Sequence, residues 1–297
     1  MPTSKRTDTA FTSDNITCRA WLYTPADADG AAIVMAHGLG GTRDAGLEPF
    51  AERFADNGYT VLLFDYRHFG ASDGEPRQLL SIKRQLADWK AAVAHARGLP
   101  GVDPDRIGLW GTSFSGGHVL TTAAQDDRIA AASAQGPMVD GLAAALNVVS
   151  YAGVGQLARV SARAIVDQGR GLLGLSPVTI PLAGAPGELA AMSSHDALDY
   201  TRITPPDWRN EMTARMMLYL AAYRPIASAR KLRCPVLIQA CTRDSVAPAS
   251  AAEKLARRAG PNVTLKQYDI GHFDIYLGEA RETALADQLA FFGSALR

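Results

Sequence analysis

The chain has 297 residues, 47% hydrophobic and 20% charged, with 30 basic residues set against 30 acidic ones. That length suits one large α/β domain, or one domain carrying an insertion, and the composition is ordinary for a globular protein. The even charge balance gives no reason to expect a nucleic acid or an anionic membrane as partner; it leaves a small-molecule substrate and self-association open.

The polar stretch Met1 to Asn15 has no signal-peptide apolar core, and no run of eighteen apolar residues occurs anywhere in the sequence. A cytoplasmic chain without a membrane span is therefore expected. Residues 9–24 read as a hairpin turning at Asp14-Asn15. Next, Ala31–His37 (AAIVMAH) is a continuous apolar run, as in a strand covered on both faces. A helix over 48–57, stopped by Gly58, and a second buried strand over 59–67 follow. The segment 79–97 carries Ile82, Leu86, Trp89 and Val93 at helical spacing. A strand at 106–110, a helix at 115–125 and a strand at 129–135 come next.

Between about 138 and 230 this alternation breaks. The segment is rich in Ala, Leu, Gly and Met, and it is interrupted by Pro177, Pro181, Pro186, Pro205 and Pro206. Its apolar content argues against a disordered loop, so a mostly helical cap inserted into the sheet domain is expected. The rhythm resumes with a strand at 235–240, a helix at 248–259, a strand at 263–268 and a helix near 279–296. Strands alternating with helices imply a parallel sheet wound on both faces. The core is thus 1–137 with 231–297, and the cap 138–230. Cys18, Cys234 and Cys241 are too few and wrongly spaced for a disulfide framework or a zinc site, and burial is the expected role of the latter two. Neither a metal nor an organic cofactor is implied.

Arg106–Gly117 reads RIGLWGTSFSGG, a strand entering a helix through Gly111-Thr112-Ser113-Phe114-Ser115. This approximates G-x-S-x-G, whose turn is so tight that the residues two before and two after the serine must be small. Ser115 stands where glycine is usual and offers itself as a rival nucleophile. Register favours Ser113, because Ser115 already falls inside the helix.

The strand 31–37 ends in His37-Gly38-Leu39-Gly40-Gly41, a turn able to present a backbone N–H to an oxyanion. The expected donors are the N–H groups of Leu39 and Phe114. A competing reading takes Gly38-x-Gly40-x-x-Arg43, with Asp65 beyond, as a dinucleotide fingerprint. Arg43 in the third glycine position argues against it, as does the loop DYRHFGASDG that contains Asp65.

Of six histidines, His272 follows the last strand, where the order Ser…Asp…His places a base. His37 belongs to the glycine turn, His118 and His95 to helices, and His195 to the inserted segment, while His68 stays open. The acid is Asp244, which leaves the strand PVLIQACTRD at its carboxyl end, or alternatively Asp140 after the strand 129–135. The chemistry explains the residue types. A serine hydroxyl is a weak nucleophile, so an imidazole must take its proton, and a carboxylate must hold the imidazole tautomer.

The segments HGLGG, DYRHFGASDG, GTSFSGG, TRDSVAP and GHFDIY make the chain resemble the α/β-hydrolases from about residue 10 onward. Within them it is similar to bacterial Xaa-Pro peptidase-like and dienelactone-hydrolase-like proteins. The resemblance implies an eight-stranded, mostly parallel sheet, a triad of Ser113, Asp244 and His272, and a cap inserted after the sixth strand. It leads to an expected serine hydrolase acting on an ester or thioester. Acyl transfer, lactone formation, lyase chemistry and peptidase action are the alternatives on the same site. Met192, Met216, Met217, Leu218, Tyr219 and Tyr223 of the inserted segment suggest an apolar acyl or alcohol pocket.

Overall fold

The computed structural model describes residues 4–297, so the first three residues of the polar N-terminal stretch lie outside the described residues. Among the described residues there are ten strands: β1 (Ser4–Ser13), β2 (Ile16–Pro25), β3 (Ala32–Ala36), β4 (Thr60–Phe64), β5 (Ile107–Thr112), β6 (Ile129–Gln135), β7 (Thr179–Ile180), β8 (Met212–Thr213), β9 (Val236–Cys241) and β10 (Val263–Tyr268). The helices are α1 (Glu48–Asp56), α2 (Ile82–Arg97), α3 (Phe114–Ala123), α4 (Gly141–Leu172), α5 (Met217–Leu220), α6 (Ala249–Ala259) and α7 (Gly278–Ala295).

Eight strands form one sheet in the order β1-β2-β4-β3-β5-β6-β9-β10. The opening hairpin turns at Asp14 and Asn15, both at positive φ, and β2 runs antiparallel to β4. All later pairings in this sheet are parallel. This is the α/β-hydrolase fold expected from the sequence.

The central strands are apolar throughout because both faces are covered. Val34 pairs with Leu62 and Leu109 and points, with them, toward Trp89 of α2, Val119 of α3 and Leu255 of α6. Ile33, Met35 and Trp110 point the other way, onto Phe50 and Phe54 of α1 and Phe292 of α7. The crossover from β3 goes to β4 on one side, and the next one, from β4, passes back to β5 on the other side of β3. The carboxyl ends of β3 and β5 therefore flank the crevice at which open α/β sheets take ligands.

Two expectations change in detail. The buried stripe of α2 is Gln85, Asp88, Trp89, Ala92, Val93 and Ala96, whereas Ile82 and Leu86 are half-buried. Two polar residues take core positions because each has a buried partner. Asp88 pairs with Arg67 at 2.6 Å, and the Gln85 carbonyl meets His118 Nε2 at 3.0 Å.

The segment between β6 and β9 has its helix concentrated in one long element. Its helix α4 begins at Asp140, whose carboxylate accepts from the Leu142 and Ala143 N–H groups, and Gly153 interrupts it with φ of 76°. Asn147, Ser150 and Gln156 break any run of eighteen apolar residues. By length and composition, however, Gly141–Leu172 is long and apolar enough to cross a membrane. Beyond Leu172 the helices are short: β7 pairs with β8, α5 is a single turn, and three 3₁₀ turns lie among irregular stretches. The five prolines remove backbone donors and fix φ, which stops longer helices. Even so, Ile180, Leu182, Ala197, Tyr200, Met212 and Ala214 are buried, so this part packs firmly onto the sheet domain.

Candidate active site

Ser113 sits between the end of β5 and the start of α3 with φ 55° and ψ −119°, a conformation most side chains avoid. Its backbone is fixed on both sides. Its N–H donates to the Gln135 carbonyl at 2.8 Å, and its own carbonyl accepts from Gly116 at 3.0 Å and Met138 at 2.9 Å. The tightness accounts for the neighbouring glycines. A Cβ on Gly111 would lie 2.4 Å from the Ser115 carbonyl oxygen, and one on Gly38 would lie 2.8 Å from Ser113 Cβ.

The Ser113 hydroxyl lies 3.0 Å from His272 Nε2, and His272 Nδ1 lies 2.5 Å from Asp244 Oδ2. The other Asp244 oxygen accepts from the Val246 and Ala247 N–H groups, each at 2.7 Å. Ser115 faces away from this line: its hydroxyl meets Tyr66 Oη at 2.6 Å, and Trp89 Nε1 donates to the same phenol at 2.7 Å. The residue in the usual glycine position is thus tied into the packing under α3. Asp140 is likewise elsewhere, held by Arg224 Nε and Nη2 at 2.9 Å each.

The glycine turn after β3 is braced by His37. Its Nε2–H donates to the Ala45 carbonyl at 2.9 Å, while its Nδ1 accepts the Gly38 N–H at 2.7 Å. Full burial pushes this imidazole down to about 4, so it stays neutral. Leu39 and Phe114 line the same cleft as Ser113, and among the described residues neither N–H has a protein acceptor. Asp65, the acid of the dinucleotide reading, is occupied otherwise: it accepts from the Arg43 N–H at 2.7 Å and the Ala71 N–H at 3.1 Å. The Arg43 guanidinium lies over the Trp21 ring.

The remaining histidines have structural surroundings. His68 Nε2 lies 2.9 Å from Arg84, His95 stacks on Phe11, and His195 is exposed. His118 is buried between Gln85 and the Tyr223 phenol, whose hydroxyl donates to Nδ1 at 2.6 Å, and its ring abuts Phe114.

The cleft over Ser113 is small, about 50 Å³, and its walls include Met138, Val148, Met192, Met217, Leu220 and Val246. Of the six pocket residues expected from the sequence, Met192 and Met217 are here. Met216, Tyr219 and Tyr223 face a separate groove beside α2, and Leu218 points outward. Within the one-turn helix α5, Met217 and Tyr219 stand two positions apart and so face opposite sides.

Two positioning contacts were not foreseen. Tyr200 donates its phenol hydrogen to the Leu39 carbonyl at 2.9 Å, and Trp208 Nε1 donates to the Gly40 carbonyl at 3.0 Å. Both come from the inserted segment, where no motif marks them and their apolar surroundings read as ordinary packing. The assembled groups can pass a proton from Ser113 to His272 in a cleft that Leu39 and Phe114 also line.

Over residues 27–277 the sequence matches the family described as Hydrolase_4, serine aminopeptidase, S33. It is 44% identical, across 96% of this chain and 93% of the relative, to the quorum-quenching protein AidA of Acinetobacter baumannii. It is 27% identical, across 96% and 92%, to the thiohydrolase aneE of Aspergillus aculeatus. Among solved structures, the α/β hydrolase GrgF from Penicillium superposes with a TM-score of 0.83 at 28% identity, covering 98% of this chain and 99% of that one.

Proposed function

We propose that this chain, which belongs to the Hydrolase_4 serine aminopeptidase family of α/β-hydrolases, cleaves a carboxylic ester or thioester through an acyl-enzyme on Ser113. The observation that carries the reading is the continuous line Ser113–His272–Asp244 at the mouth of an apolar cleft. His272 Nε2 takes the Ser113 proton as the hydroxyl oxygen attacks the acyl carbon. Asp244 holds Nδ1–H and stabilises the imidazolium. The Leu39 and Phe114 N–H groups receive the developing oxyanion, where one such donor is worth about 10²–10³ in rate. The imidazolium then protonates the departing alcohol or thiol, and a water activated by the same imidazole releases the acid.

The cleft walls favour an apolar acyl or alcohol part, and a relative named as a thiohydrolase supports the thioester as a substrate class. The finer likeness to Xaa-Pro peptidase-like and dienelactone-hydrolase-like proteins adds nothing that this proposal uses. The test is a panel of acyl esters and acyl thioesters of graded chain length, run in water and with an added alcohol or amine. Turnover that rises with chain length and yields free acid supports the proposal. Products carrying the added nucleophile would assign the site to acyl transfer instead. A Ser113→Ala variant that still turns over any substrate at the wild-type rate would overturn the nucleophile.

A further inference from the structure

Asp244 and His272 lie on separate loops, after β9 and after β10, and each leaves its strand for a stretch without regular structure. Parallel strands next to each other do not by themselves fix two such loops to within a hydrogen bond. The loops meet directly where the Thr242 N–H donates to the Tyr268 carbonyl at 2.8 Å and the Arg243 N–H to the Ile270 carbonyl at 3.1 Å, and a carboxylate from the inserted segment ties them again next to the acid and the base themselves. Asp196 Oδ2 accepts from the Ser245 N–H at 3.0 Å and from the His272 N–H at 3.2 Å. Its own N–H donates to the Ser245 hydroxyl at 3.1 Å. On the other side, Asn147 of α4 donates its amide to the Ser245 carbonyl at 2.9 Å.

Ser245 follows Asp244 directly, and three of its polar atoms are thus held by the insertion. The same oxygen that holds Ser245 also holds the backbone of the base. We propose that Asp196 is a positioning residue that fixes the acid loop and the base loop relative to each other. On this account the inserted segment is part of the catalytic frame. Tyr200 and Trp208, from the same stretch, hold the Leu39 and Gly40 carbonyls, so one short piece of chain braces acid, base and oxyanion loops together.

The proposal rests on the serine-hydrolase reading above, and its test separates the two. Steady-state kinetics on one acyl ester are measured for wild type, Asp196→Ala, Asp196→Asn and Ser113→Ala, with a thermal melt of each. Asp196→Ala frees both N–H groups and is expected to lower kcat by roughly 10²-fold with KM little changed, since small misplacements of catalytic groups cost about that much. Asp196→Asn keeps an oxygen able to accept both N–H groups and is expected to recover most of kcat.

A folded Asp196→Ala enzyme with wild-type kcat would overturn the proposal. So would a loss expressed in KM alone, which would make Asp196 a wall of the cleft. If Asp196→Ala does not fold, an Asp196→Asn enzyme as slow as Ser113→Ala overturns it equally, because the acceptor geometry is then irrelevant. Undiminished turnover by Ser113→Ala would instead remove the hydrolase reading itself.

Discussion

Replacing Tyr200 by Phe isolates a single hydrogen bond to the oxyanion loop. The ring is buried, stacked on Phe273 at 5.0 Å between centroids, and Phe preserves that packing. Burial keeps the phenol far above its ordinary pKa, so it is always a donor. His37 Nδ1 is already engaged by the Gly38 N–H at 2.7 Å, which directs the phenol hydrogen to the Leu39 carbonyl at 2.9 Å. Removing the hydroxyl strands that carbonyl at a cost of about 1–2 kcal/mol, within the range for a buried acceptor left unmade. For a chain of this length that corresponds to a fall in melting temperature of roughly 2–3 °C.

The loop shifts to rehydrate the carbonyl, and the Leu39 N–H moves with it. Losing an oxyanion donor outright costs about 10²–10³, so a displaced donor is expected to cost about tenfold in kcat. KM stays near the wild-type value because the cleft walls are untouched. Steady-state kinetics on a chromogenic acyl ester, with a thermal melt of the same preparation, give both numbers. A variant that melts lower yet keeps wild-type kcat would refute the claim that the phenol sets the donor.

Asp88→Ala leaves the buried Arg67 guanidinium only the exposed Asp14 carboxylate as an ionic partner, and a loss of about 3–5 kcal/mol is expected. The melting temperature should then fall by roughly 5–8 °C, and a fall under about 2 °C would contradict the pairing. Gly111→Ala places a Cβ against the Ser115 carbonyl and should abolish labelling of Ser113 by a fluorophosphonate. Gly155→Ala, whose Cβ meets nothing within 4 Å, should leave labelling intact. Equal labelling of the two would count against the tight turn.

Acid should also destabilise the fold. Burial pushes His37, His68 and His118 down from 6.5 to about 4, 4 and 3, so the unfolded chain takes up protons that the folded chain refuses. The stability from these neutral imidazoles is complete above pH 6.5 and is lost as the pH falls toward 4. Asp65, raised to about 6 by burial, acts in the opposite sense, as do Asp88 and Glu52, but these three face four lowered imidazoles, His95 included, and the lowered carboxylates of Asp126, Asp140 and Asp167. The melting temperature should drop between pH 7 and pH 5; one that holds or rises would contradict this.

The sheet was legible because buried parallel strands leave unbroken apolar runs, as at 32–36, 60–64 and 236–241, punctuated by glycines that local geometry demands. The positions of Ser113, Asp244 and His272 were legible for a related reason: each stands just beyond a strand, and the strand fixes where it emerges. Ser115 was ambiguous because its hydroxyl is small enough for either role, and the contacts of Ser113 with His272 and of Ser115 with Tyr66 separate them.

The inserted segment was not legible in the same way. Its prolines and single-turn elements carry no period, so nothing in the sequence tells which face of Met216 or Tyr219 meets which cavity. Asp196, Tyr200 and Trp208 act through backbone groups on distant loops. Such contacts depend on the tertiary path and leave no local spacing. Asp88 and Gln85 were missed because helical spacing alone assigns core positions to apolar residues, and a buried partner overrides that rule.

The acyl-enzyme itself gives the most direct test of the central claim. The protein is mixed with an acyl thioester, quenched in acid within one turnover, and digested for mass spectrometry. The account predicts a mass increase equal to the acyl group on the peptide containing Ser113, absent from the Ser113→Ala variant. Product formation with no adduct, or with the acyl group on another residue, would contradict it.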